Sequence, residues 1–81
     1  MRILDTEREQ SVMVLQLYLT VTEATKLREQ LDGLLADPEA NEHFHTFADD
    51  MSRELSCSIV TPRKLETGHY TELEKKIFSE K

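Results

Sequence analysis

One cysteine, two glycines and two prolines are all that this 81-residue chain contains. Cys57 has no second cysteine to pair with, so an internal disulfide is excluded. Residues 1–10 are too acidic and too weakly apolar for a secretory signal, and together these features predict a reducing, cytoplasmic setting. Gly33 and Gly68 are the only glycines, which excludes a glycine-rich phosphate loop. Ser11, Ser56, Ser58 and Thr61 stand in no nucleophile-elbow pattern. Apolar runs never reach the 18 residues that would suggest a membrane span.

Base is scarce where acid is dense. Glu29, Asp32, Asp37, Glu39, Glu42, Asp49, Asp50 and Glu54 face a single base, Arg53, in a chain of net charge −6. Nucleic acids and anionic membranes need clustered Lys and Arg, so neither is an expected partner. A basic protein is permitted, although such a stretch also serves simply as a solvated face.

The apolar residues that are present organise the chain. Residues 12–19 (Val-Met-Val-Leu-Gln-Leu-Tyr-Leu) are β-branched, aliphatic and aromatic, which predicts a strand. Alternation places Met13, Leu15, Leu17 and Leu19 on one face, with Val12, Val14, Gln16 and Tyr18 on the other. Thr20-Val21-Thr22-Glu23 then matches a capping box. Ala24, Leu27, Leu31, Leu34 and Leu35 repeat at helical spacing up to Asp37-Pro38, where proline ends the helix. The natural target of that stripe is the Met13/Leu15/Leu17/Leu19 face.

Residues 37–51 admit two readings. Asp37-Pro38 starts a helix well, and Ala40, Phe44, Phe47, Ala48 and Met51 fit a helical stripe. A two-stranded sheet is seldom stable alone, however, so a hairpin pairing residues 42–47 with 53–61 is preferred. In the second strand of that hairpin, Leu55, Cys57 and Ile59 share one face and Glu54, Ser56 and Ser58 the other. Pro62 closes it, residues 63–69 connect, and Thr71-Glu72-Leu73-Glu74 is a second capping box opening a short helix to Ser79. The expected fold is a single α+β domain over residues 1–81, of order βαββα. Its three-stranded sheet would carry the long helix on one face and a short C-terminal helix beside it.

Three functional readings follow. In the first, the protein is a non-enzymatic interaction module. One helix covers one sheet face, which leaves Val12, Val14 and Tyr18 for a second copy in a symmetric homodimer. The small size and 38% hydrophobic content agree, because such chains are marginal as monomers. In the second, the acidic stretch docks on a basic protein in the manner of an inhibitor. The third is a metal site at His43 and His45, which share a face if they lie on a strand. Two histidines do not define a site, and His69 is placed in a distant loop, so no cofactor or metal is expected. Cys57, mid-strand and without basic neighbours, is read as a small hydrophobe rather than a nucleophile.

Overall fold

The computed structural model describes residues 1–80 as a small α+β structure. Its first hairpin joins β1 (Leu4–Asp5) to β2 (Gln10–Ser11), antiparallel, with Leu4 opposite Ser11. The turn is organised by Asp5, whose carboxylate accepts the main-chain N–H groups of Glu7 and Arg8, both at 3.1 Å. Glu9 closes it with φ of 55°, the left-handed conformation that such loops need.

Helix α1 (Val21–Ala36) forms as its sequence predicts. Thr20 Oγ1 accepts from the Glu23 N–H, and the Glu23 carboxylate accepts from the Thr20 N–H, so two donors of the first turn are satisfied. Asp37 ends the helix ahead of Pro38.

The ambiguous stretch resolves as a hairpin. β3 (Phe44–Phe47) pairs antiparallel with β4 (Glu54–Cys57), from Phe44 opposite Cys57 to Phe47 opposite Glu54. The ladder is shorter than the expected 42–47 with 53–61. Its alternation is the expected one, with Leu55 and Cys57 half-buried and Glu54 and Ser56 exposed.

Residues 63–69 are not a plain connection. Thr61 caps the Lys64 N–H and Pro62 occupies the first helical position, giving a short helix α2 (Pro62–Glu66). The proline that ends a strand also begins a helix here. Gly68 follows with φ of 76°, where a side chain would be strained. Helix α3 (Glu72–Phe78) has the predicted capping box between Thr71 and Glu74. Its C-terminal carbonyls are met from the other end of the chain: Arg2 Nε donates to Ile77 O at 3.1 Å, and Arg2 Nη2 also donates to Glu80 O. A guanidinium there suits the negative end of the helix dipole.

The expected three-stranded sheet does not form. The strands make two separate two-stranded sheets, β1–β2 and β3–β4. Residues 12–19 are not a paired strand. Val12 N–H extends the first ladder by one bond to Ile3 O at 2.9 Å, and residues 13–19 belong to no helix or strand. The long helix also turns differently from expectation. It rests on β3, where the Gln30 amide donates to His45 O at 2.9 Å. Leu27, Gln30 and Leu34 therefore face inward, while Ala24, Leu31 and Leu35 are exposed. The physical reason is layer count. A central strand apolar on both faces needs a layer on each, and this chain's one long helix is already committed to the second hairpin.

Little is left to form a core. Leu34 and Ile77 are the fully buried apolar residues among those described, and the third buried residue is Lys64. The Lys64 ammonium donates to Asn41 O at 2.7 Å and Ile59 O at 2.9 Å, tying the exit of α1 to the exit of β4.

Candidate interaction surface

The segment between β2 and α1 is held at both ends and free between them. At its start stands the Val12–Ile3 hydrogen bond. At its end, Thr20 Oγ1 donates to Asp49 Oδ2 at 2.8 Å, and Glu23 Oε2 accepts from the Asp49 N–H at 2.9 Å. Those bonds stitch the start of α1 to the turn of the second hairpin. Among the described residues, no main-chain group of residues 13–19 pairs with another main-chain group.

Its side chains show the period of a strand. Val14 and Tyr18 are 82% and 84% exposed, whereas Leu15, Leu17 and Leu19 are 48%, 49% and 45% exposed. A two-residue alternation of this kind points Leu15, Leu17 and Leu19 toward the molecule and Val14 and Tyr18 away from it. Of the three expected interface residues, Val14 and Tyr18 thus lie on the outer face, and Val12 is half-buried beside β1. Met13 does not join the inner face and stands open at the bend after Val12. Val21, Leu31 and Leu35 are exposed nearby in sequence, on α1. Residues 11–22 carry no charge, in a chain that is 32% charged.

The whole molecule reflects this openness. A folded chain of 9.4 kDa should expose about 5000 Å². This one exposes 6579 Å², roughly 1600 Å² more than that scaling gives. Its radius of gyration is 13.5 Å, against about 12 Å for a compact domain of its length.

The second hairpin carries the polar groups. His43 and His45 do come together, their ring centroids 4.8 Å apart and edge to face. His45 Nδ1 lies 2.5 Å from Glu54 Oε1 and 2.7 Å from Ser56 Oγ. Sequence reading missed this Ser–His–Glu cluster, whose signal was the register that sets His45 opposite Ser56. Both partners contact the same ring nitrogen, however. A catalytic triad sets its serine and its carboxylate on opposite ring nitrogens, so this cluster orients the imidazole and lacks that arrangement. No three His, Cys, Asp or Glu side chains converge as a metal-binding group among the described residues. His69 lies 3.5 Å from Glu42 instead. Burial pushes the Cys57 thiol above its ordinary pKa, which favours the thiol over the thiolate.

The acidic stretch is exposed throughout, yet most of it is engaged within the chain. Asp37 caps Ala40, Glu39 accepts from Thr61, Glu42 meets His69, and Glu54 meets His45. Asp49 accepts from Thr20, and Asp50 accepts from the Ser52 hydroxyl and N–H. Only Glu29 and Asp32, of the eight, are given no such task.

Glu23 yields a pH prediction. The Thr20 N–H, then the Asp49 N–H, hold its carboxyl below the usual glutamate range, against the opposing charge of Asp50. A depressed folded-state pKa contributes stability that is present at neutral pH and is lost as pH falls below about 4. Asp5, held down chiefly by the Arg8 N–H, and Asp50, chiefly by the Ser52 hydroxyl, act in the same direction. Glu23→Gln should therefore lower the melting temperature at neutral pH and flatten its fall in acid, measured by circular dichroism. A variant that melts with the wild-type acid profile would remove Glu23 from this role.

No helix among the described residues is long and apolar enough to cross a membrane. Compared with protein-family models, curated proteins and solved structures, the chain matches none.

Proposed function

We propose that this is a non-enzymatic interaction module that self-associates through the apolar segment at residues 12–19, as a homodimer acting in the cytoplasm. The observation that carries the reading is the outward face of Val14 and Tyr18, on an uncharged segment anchored at both ends. Val12 marks where that segment leaves the first hairpin. Tyr18 suits a contact surface, because its ring supplies apolar area while its hydroxyl stays wet at the rim. Anchoring both ends also lowers the ordering cost of binding.

The earlier alternative of a basic partner on the acidic stretch draws less support, because six of its eight carboxylates already have intramolecular partners. A metal at His43 and His45 draws less still, since the His45 imidazole is oriented by Glu54 and Ser56.

Light scattering across a concentration series tests the reading. A dimer mass is expected at high micromolar concentration, with Val14→Glu shifting the dissociation constant at least about 100-fold, because it places a charge in a desolvated contact. A monomer mass at every concentration, or a Val14→Glu protein that dimerises as the wild type does, would defeat it.

A further inference from the structure

We infer that the second copy binds by main-chain strand pairing, in an antiparallel ladder whose twofold axis passes through Gln16. The inference rests on the self-association reading above and specifies its geometry. Two independent features of residues 13–19 point to the same axis.

The first is main-chain satisfaction. Residues 13–19 form a run of amides without main-chain partners, flanked by residues that have them. A row of free N–H and C=O groups is a template for another strand. In a symmetric antiparallel ladder the whole run overlaps its copy only when the axis lies at the central residue, which is Gln16.

The second is side-chain matching. With the axis at Gln16, Val14 stands opposite Tyr18 of the second copy and Leu15 opposite Leu17, while Met13, at the bend, lies at the end of the ladder. Every pair is apolar, and directly opposed side chains share a face. Gln16, the one polar residue in the run, then faces only itself, and its amide can donate to and accept from its own copy across the axis. Moving the axis to Leu15 sets Gln16 against Val14, and moving it to Leu17 sets Gln16 against Tyr18. Odd-sum registers, in which a residue faces its own neighbour, mix the two faces of the strand. One register therefore gives the longest ladder along one edge, with alternate residues bonded across it, together with the apolar pairs and the lone amide. Each chain carries net charge −6, but the paired residues carry none, so the axis does not bring like charges together.

Two measurements on the full chain test this. In the wild-type dimer, hydrogen exchange at alternate residues of 13–19, those whose N–H groups face the second copy, should slow about 100-fold relative to the diluted monomer. In a Cys57→Ala background, Gln16→Cys should form an intermolecular disulfide readily, because opposed residues sit about 4.5–5.5 Å apart at Cα. Val14→Cys should not, because its copy lies four residues along the strand, about 14 Å away. A dimer whose residues 13–19 exchange freely, or in which Val14→Cys cross-links as fast as Gln16→Cys, overturns the ladder and leaves the self-association reading standing. The second outcome would mark a parallel in-register stack. A monomer at all concentrations overturns both.

Discussion

Raising the protein concentration about a hundredfold is expected to raise the melting temperature by roughly 5–10 °C. Leu34 and Ile77 are the two apolar side chains fully buried within the described chain. At about 1.5–3 kcal/mol for each buried aliphatic side chain, they cannot offset the ordering of so many residues. In the proposed dimer, further stability would come from the surface that Met13, Val14, Leu15, Leu17, Tyr18 and Leu19 leave open. If a second copy covers that surface, folding and association are linked by mass action. A hundredfold rise in concentration adds about 2.7 kcal/mol per dimer. Calorimetry at two concentrations reads this directly. Superimposable transitions would mean that the isolated chain holds its fold without a partner.

The second large effect belongs to Lys64. Its side chain is buried at 1% exposure, and no carboxylate pairs with it among the described residues. Its ammonium is held by the carbonyls of Asn41 and Ile59. Lys64→Met keeps the length and volume of the stem and removes the charge. Two effects then compete. Removing a buried cation relieves its desolvation, while two carbonyls lose a charge-assisted donor worth about 1.5–3 kcal/mol each. The carbonyls are expected to win, because the lysine's charge is already solvated by them and nothing in methionine replaces it. A net loss of about 2–3 kcal/mol is expected, a large part of the roughly 4–12 kcal/mol usual for this length. Chemical denaturation measures it, and an unchanged or raised midpoint would show that desolvation dominates.

Local chemistry was legible in the sequence wherever the partners of a residue lie close by. Both capping boxes, Thr20 with Glu23 and Thr71 with Glu74, close between residues three apart, so their presence in the sequence was enough. The same holds for the stop at Asp37-Pro38 and for the alternation of Leu55 and Cys57 against Glu54 and Ser56. Thr61-Pro62 was equally local but ambiguous, since proline both ends a strand and starts a helix. The preference for a hairpin over a helix at residues 37–51 rests on a sheet's need for strands; β3 pairs with β4, but as a two-stranded sheet that no third strand joins among the described residues.

What the sequence could not decide is which surfaces meet. Strand propensity at residues 12–19 described a side-chain pattern suited to burial on two faces, and it said nothing about whether the chain possesses the layers to bury them. The long helix has one apolar stripe, and its expected target is the Met13/Leu15/Leu17/Leu19 face, whereas it rests on β3. A hydrogen bond from Gln30 to His45 O, on the next element along the chain, accompanies its choice of the second hairpin. Arg2 on the end of α3 and Lys64 between Asn41 and Ile59 are contacts between distant parts of the chain, and no spacing rule reports them. Propensity and capping are set by neighbours along the chain, whereas burial is set by competition among all apolar surfaces at once. That competition left Val14 and Tyr18 facing outward, on the surface that the proposed self-association would use.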